Sequence, residues 1–305
     1  MTEVYSNGKL LLSGEYVVLG GVTGLAIPTK YGQSLSVTEA RESKISWKSY
    51  DENGKIWFQC DVDLRRLKSE DAITFTSDIE IANTLLYIVT QAQILNSNFL
   101  STGGGFNIET KLTFPRNWGL GTSSTLINNI AQWANVNAFE LLKNTMGGSG
   151  YDIACAQNNS PILFTKKDEQ VEIEKIDFNP PFSNSLFFVF LNKKQNSRNA
   201  IAHYRKAEFN KTALIMRLND ITLKMAYCTE LRQFEMLMHE HEELLSKALQ
   251  METVKSKFFS DYKGALKSLG AWGGDFILAT GNNKAPDYFK KKGFETVIPF
   301  GEIIL

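Results

Sequence analysis

A run of glycines and hydroxyls, Gly119-Leu120-Gly121-Thr122-Ser123-Ser124, leads without interruption into apolar residues at Leu126, Ile127, Ile130 and Trp133. The spacing predicts a helix from Ser124 to Ala134 with the glycines and hydroxyls at its N-terminus. Glycines let a backbone approach phosphate oxygens, unpaired first-turn N–H groups donate to them, and the helix dipole adds a favourable potential. A Ser or Thr hydroxyl there can also ligate the magnesium that accompanies a nucleotide. A glycine turn with a plain Ser/Thr cap has the same local pattern, and the loop alone does not separate the two. The sequence has no GxxxxGK[ST] loop, no GxGxxG opening a βαβ unit and no HRD and DFG set, which excludes the P-loop, dinucleotide and protein-kinase designs.

The segments around this loop fall into two patterns. Short strands are expected at Lys9 to Leu12, Gly24 to Ile27, Ser34 to Thr38, Ile45 to Ser49 and Ile56 to Cys60, with Asp51 to Gly54 as a turn. Ser77 followed by Glu80 reads as a capping box, and Ile81, Leu85, Ile88, Ala92 and Leu95 then share one helical face. Phe106 to Thr110 alternates like a strand, and helices are expected at Ala138 to Thr145 and Tyr151 to Gln157. Pro180 and Pro181 stop this pattern. The continuous apolar run Leu186 to Leu191 suits a buried strand, long helices follow between Asn199 and Lys267, and the tail reads strand, helix, strand. Two domains are expected, 1–180 and 181–305.

Composition narrows the function classes. Lys plus Arg equals Asp plus Glu at 33 each, so no overall field draws the chain to nucleic acid or to an anionic membrane. Cys60, Cys155 and Cys228 are an odd set at wide spacing, which suits buried thiols in a reducing cytoplasm. No apolar stretch approaches the roughly 20 residues that span a bilayer.

Pro115-Arg116-Asn117-Trp118-Gly119-Leu120-Gly121-Thr122-Ser123-Ser124 resembles the PxxxGLGSSA motif of the GHMP kinases. Two further segments fall in the order of that family: Gly8-Lys9-Leu10-Leu11-Leu12-Ser13-Gly14-Glu15-Tyr16, and Gly270-Ala271-Trp272-Gly273-Gly274-Asp275. Between them, Gly148-Ser149-Gly150-Tyr151-Asp152-Ile153-Ala154 resembles the segment that supplies the catalytic aspartate in mevalonate-type members, and also a bacterial GYDIA subgroup. The resemblance implies an α+β fold: an N-terminal domain of the ribosomal-protein-S5 type and a ferredoxin-like C-terminal domain. It also implies ATP and Mg2+ as cofactors. Ser6 and Asn7 stand where the first motif often has Pro-Gly, Thr122 replaces a serine, and Trp272 and Asp275 interrupt the third motif.

The same likeness assigns roles. Asp152 is the expected general base or orienting group, and Lys9 the cation that keeps it ionised and offsets charge on the transferring phosphoryl group. Gly119, Leu120 and Gly121 would cradle phosphates, Thr122 and Ser124 donate to them, and Ser123 ligate magnesium. Glu140 is either a second magnesium ligand or the N3 partner of Asn137 in a capping box. Glu15, Tyr16, Ser149, Gly150, Gly273 and Gly274 are expected on the substrate side, although Glu15 and Tyr16 equally suit a buried strand end. Lys193, Lys194 and Arg198, with Ser197, could grip a phosphate already on the substrate, or form solvated surface. His239 and His241 do not share a helical face, so that segment reads as a solvated helix face rather than a metal site.

Tyr16 in GEYVVLGG, SGYD, and Gly273-Gly274-Asp275 look more like phosphomevalonate kinase than mevalonate kinase. The expected acceptor is therefore 5-phosphomevalonate, with mevalonate as the alternative. A catalytically silent ligand sensor of the same fold and a diphosphomevalonate decarboxylase are the other classes left open. The expected partner is a small molecule in the cytoplasm, with no nucleic acid and no membrane. Oligomeric state stays open, a homodimer included.

Overall fold

The computed structural model describes residues 1–67, 69–101, 103–168, 170–193, 211–270 and 274–305. Its first two strands, β1 (Thr2–Leu11) and β2 (Gly24–Ala40), pair with each other and each runs through both of two compact units. One unit comprises Met1–Gly8, Tyr31–Arg116 and Leu120–Gln157; the other comprises Lys9–Lys30, Asn117–Gly119 and Asn158–Leu305. This division differs from the single cut expected near Pro180. β2, expected as two short strands, continues through Pro28 as one strand of 17 residues.

The first unit adds β3 (Lys44–Tyr50), β4 (Ile56–Asp63), β5 (Ile73–Thr76) and β6 (Gly105–Leu112), in the order β5-β4-β3-β6-β2. Only the β3–β6 pair is parallel. Register aligns Val37, Ile108, Trp47 and Cys60 in one buried row across four strands. Such cross-strand rows are what a one-sided sheet offers to helices. The helices are α1 (Ile79–Leu95), α2 (Thr122–Ala134), α3 (Ala138–Thr145) and α4 (Tyr151–Gln157). Leu85 and Ile88 of α1, Ile127 and Ile130 of α2 and Leu141 of α3 join that row in one core. The cap of α1 corrects the expected capping box. Asp78, not Ser77, accepts from the N–H groups of Glu80 and Ile81, while the Ser77 hydroxyl is used at Gln59.

In the second unit the first half of β2 pairs with β7 (Ile162–Lys167), which forms a hairpin with β8 (Gln170–Lys175). A separate antiparallel sheet uses β9 (Leu186–Phe190), whose five residues are all buried, as expected of its apolar run. Helices α5 (Lys211–Ala226), α6 (Leu231–Leu249) and the short α7 (Val254–Phe258) precede β10 (Leu266–Leu269). After β10 come β11 (Phe276–Thr280), α8 (Ala285–Lys291), β12 (Val297–Pro299) and α9 (Phe300–Ile303), and the sheet order is β10-β11-β9-β12. All three cysteines are free and buried. Among the described residues no helix is long and apolar enough to cross a membrane.

The cap assignment is testable. Asp78→Ala should cost about 1 kcal/mol in urea unfolding and speed amide exchange in the first turn of α1. Ser77→Ala should leave that turn protected; equal loss of protection in both variants would return the cap to Ser77.

Candidate functional site

The entry to α2 is built by two glycines in left-handed conformation, Gly119 at φ 68° and Gly121 at φ 95°. Gly121 is the N-cap and makes no side-chain bond, and the Thr125 N–H makes the first helical bond, to its carbonyl, at 2.9 Å. The first-turn N–H groups of Thr122, Ser123 and Ser124 thus precede that first bond, at the positive end of a 13-residue helix. The hydroxyls differ. Ser123 is exposed and Thr122 half-buried, whereas Ser124 is buried with its hydroxyl donating to the Gly121 carbonyl at 2.9 Å. The Ser124 side chain is therefore already used within the loop.

A buried polar ladder fixes this helix in place. The Gln157 amide of α4 donates to Asn128, Asn128 donates to the Ser6 hydroxyl of β1, Ser6 donates to Asn129, and Asn129 donates to the Gln33 carbonyl of β2, at 2.7 to 2.9 Å. Ser6 is buried in the middle of this chain, so the serine that departs from the family's Pro-Gly has a structural use: its hydroxyl both donates and accepts.

Thr122 and Ser123 border a cavity of about 410 Å³ within the first unit, walled by Trp47, Trp57, Arg116 and Leu126. That volume suits a small organic ligand. The Arg116 guanidinium lies 3.6 Å from the centroid of the Trp57 ring. The two indoles are not equivalent. Trp47 donates its N–H to the Ser49 hydroxyl at 3.0 Å, whereas Trp57 Nε1 is buried with no partner. A buried indole N–H without an acceptor is costly. The sequence reading missed these walls. The available signal was Trp57 itself, a large aromatic alternating away from the buried face that carries Phe58, Cys60 and Val62.

In the second unit Lys9 donates to the Gly119 carbonyl at 2.8 Å, and the Asp275 carboxylate lies against Gly119, where a Cβ would collide with it. Burial raises the Asp275 carboxyl while the Lys9 ammonium pulls it back down. Trp118 packs on Phe190 of β9 and Phe276 of β11, its ring at 90° to the latter. Asp275 thereby gains a definite position beside Lys9, which the sequence had left without a role.

Glu15, His241, Glu242 and Lys267 form a second polar group of the same unit, each 2% exposed or less. Lys267 donates to Glu15 Oε1 at 2.5 Å, and Glu242 accepts from the Ser268 N–H at 2.9 Å. His241 Nε2 accepts from the Gly14 N–H at 3.2 Å and lies 3.5 Å from Glu15 Oε2. This overturns the expected solvated helix face for His241 and Glu242; only His239, with Glu243, is exposed there. Burial raises the Glu15 carboxyl against the pull of Lys267, lifts Glu242 to about 7, and holds His241 well below its ordinary 6.5.

The other expected residues are placed as follows. Asp152 is half-buried in the first turn of α4, its Oδ1 accepting from the Ile153 N–H at 3.1 Å. Ser149 and Gly150 are buried just before it, and the Gly150 carbonyl accepts from the Ala154 N–H. Glu140 is exposed on the first turn of α3, capped by Asn137, which accepts from the Phe139 and Glu140 N–H groups. Tyr16 is buried, and so is Gly274. Lys193 lies over the Phe258 ring, 3.4 Å from its centroid. Lys194, Ser197, Arg198, Trp272 and Gly273 lie outside the described residues. Among the described residues no three His, Cys, Asp or Glu side chains group as a metal cage.

No family model and no curated protein matches the chain by sequence. Solved structures match nearly its full length. A mevalonate kinase superposes with TM-score 0.70 at 18% identity, covering 97% of each chain. Streptococcus pneumoniae phosphomevalonate kinase, in complex with phosphomevalonate and AMPPNP, gives 0.63 at 17%, covering 96% of each. Lactococcus lactis galactokinase complexed with galactose gives 0.68 at 14%, covering 95% of this chain and 88% of that one. The chain has the α+β fold of these GHMP kinases, as its motifs implied.

The buried acids make a pH prediction. Between the ordinary 4.5 and about 7 the fold keeps a proton on Glu242 that the unfolded chain releases, so this residue lowers stability as pH rises through that window. His241 acts oppositely: below 6.5 the unfolded chain takes up a proton that the folded imidazole does not, so stability falls as pH drops. Glu242→Gln removes the first slope and leaves the second. Its Tm should fall more steeply than that of the wild type as pH drops below 6.5. Parallel Tm–pH curves would show that Glu242 titrates alike in both states.

Proposed function

We propose that this chain is an ATP-dependent small-molecule kinase that transfers the terminal phosphoryl group of ATP to 5-phosphomevalonate. The observation that carries the reading is the 410 Å³ cavity walled by Trp47 and Trp57 and bordered by Thr122 and Ser123, at the open N-terminus of α2. An aromatic-walled cavity suits a nucleobase, and a helix N-terminus suits the phosphates attached to it. Magnesium, when bound with the nucleotide, would neutralise its phosphates, with Ser123 and Glu140 as the side chains proposed to hold it.

In the transfer, the bond from the bridging oxygen to the terminal phosphorus breaks, a bond from the acceptor oxygen to that phosphorus forms, and ADP leaves. Asp152 is assigned the acceptor side. With a hydroxyl acceptor its carboxylate takes the proton; with the phosphate oxygen of 5-phosphomevalonate it orients the nucleophile and no proton has to move. Lys9, whose ammonium is directed at the Gly119 carbonyl next to the loop, is assigned to offset negative charge on the moving group. The Gly274-Asp275 pair and Tyr16 support the phosphorylated acceptor through their likeness to phosphomevalonate kinase. Mevalonate is the second reading, favoured by the higher structural similarity of a mevalonate kinase, 0.70 against 0.63.

The test is product mass and ADP release with Mg·ATP and a panel of 5-phosphomevalonate, mevalonate, homoserine and galactose. Diphosphomevalonate is expected, and Asp152→Ala should lower kcat by at least about 100-fold. Nucleotide binding without ADP would favour the sensor, carbon dioxide release the decarboxylase, and undiminished turnover in Asp152→Ala would remove that residue's role. Trp57→Ala should raise the KM for ATP roughly 3- to 10-fold at unchanged kcat through lost contact with the base; an unchanged KM would take the base out of this cavity.

A further inference from the structure

The turn after β1 holds a backbone that its own sequence does not favour. Tyr16 sits at φ 61° and ψ −41°, a conformation that a side chain bearing Cβ rarely adopts and that persists only where surroundings enforce it. Local bonds close the turn, from the Val17 N–H to the Glu15 carbonyl at 2.7 Å and from the Val18 N–H to the Gly14 carbonyl at 2.9 Å. The remaining restraints come from distant elements of the same unit. His241 of α6 accepts the Gly14 N–H, Thr222 of α5 bonds the Ser13 hydroxyl at 2.9 Å, and Lys267 of β10 binds the Glu15 carboxylate. Lys267 also donates to the Ser268 carbonyl at 3.0 Å, so its ammonium is held from two sides.

A fully buried ion pair gives little net stability compared with apolar residues of the same volume, which leaves positioning as the physical reason to keep one. Glu15 is 1% exposed and bound to Lys267, so its carboxylate acts on the turn rather than on a ligand at the surface. Lys9 lies on β1 immediately upstream of this turn, and displacement of the turn would carry the strand end with it.

We propose that Lys267 and His241 are positioning residues, which hold the Ser13–Tyr16 turn, and through it Lys9, in the conformation that phosphoryl transfer requires. The inference rests on the kinase reading above. It makes Glu15 an internal tether rather than a substrate ligand, and it extends the first motif to two side chains more than 200 positions away in sequence.

The single variant Lys267→Met strands a buried carboxylate and is expected to unfold easily, so the informative protein is the neutral double variant Glu15→Gln/Lys267→Met, with Lys267→Arg as the conservative control. Hydrogen exchange of the peptide spanning residues 12–18 reads the tether; steady-state kinetics and nucleotide affinity read its consequence. The double variant should keep its Tm near wild type, exchange this peptide about tenfold faster, lose about tenfold in kcat, and keep its affinity for Mg·ATP within about twofold. Lys267→Arg should retain most of kcat. Unchanged exchange in the double variant overturns the tether, whether or not the wild type transfers a phosphoryl group. Faster exchange with unchanged kcat and KM overturns the positioning role. A wild type that turns over no acceptor overturns the kinase reading instead, and the exchange result then still decides whether Lys267 holds the turn.

Discussion

At Gly119 the backbone turns through a positive φ and also lets the Asp275 carboxylate come against its Cα. Any side chain would meet that carboxylate, and an L-residue would be strained in the conformation itself. Its carbonyl takes the Lys9 ammonium, and two residues later Gly121 turns the chain again into α2. Within the second unit, the places of Lys9 and of Asp275 both follow from one residue that has no Cβ. A third motif ending in Asp rather than Gly is accommodated because Gly119 provides the space.

Within each unit buried polar groups hold elements together. The ladder from Gln157 through Asn128, Ser6 and Asn129 to the Gln33 carbonyl locks α2 against its sheet, and the Glu15–Lys267 pair ties the end of β1 to a strand of the other sheet. Directional bonds of this kind restrict the arrangements available, whereas apolar packing alone tolerates several. That is consistent with a chain that must keep a few polar atoms at fixed places, and inconsistent with a surface that only has to be covered.

What could be read from the sequence divides along the same line. Helices α3 and α4 match their expected bounds because each is punctuated locally, by Asn137 before one and by the glycines 147–150 before the other. The β9 run was legible because five consecutive apolar residues can only be buried. Pro28 does not end β2, which runs through it as one strand. The phosphate loop was legible as a motif, but its cavity was not: Trp47, Trp57, Arg116 and Leu126 come from separate segments, and the β3–β4 register is broken between Ser49 and Tyr50, where Trp57 is passed over. The buried His241 and Glu242 were misread as solvent-facing because their partners, Gly14, Glu15 and Lys267, are distant in sequence.

The central claim is that the cavity beside the N-terminus of α2 receives a nucleotide whose base packs against Trp57. The most direct measurement is the Nε1–H resonance of Trp57 in protein labelled with 15N at tryptophan, followed during titration with Mg·ATP. The account predicts a saturable shift of that resonance as the base packs on the ring. Nucleotide binding that leaves the Trp57 resonance in place would contradict it.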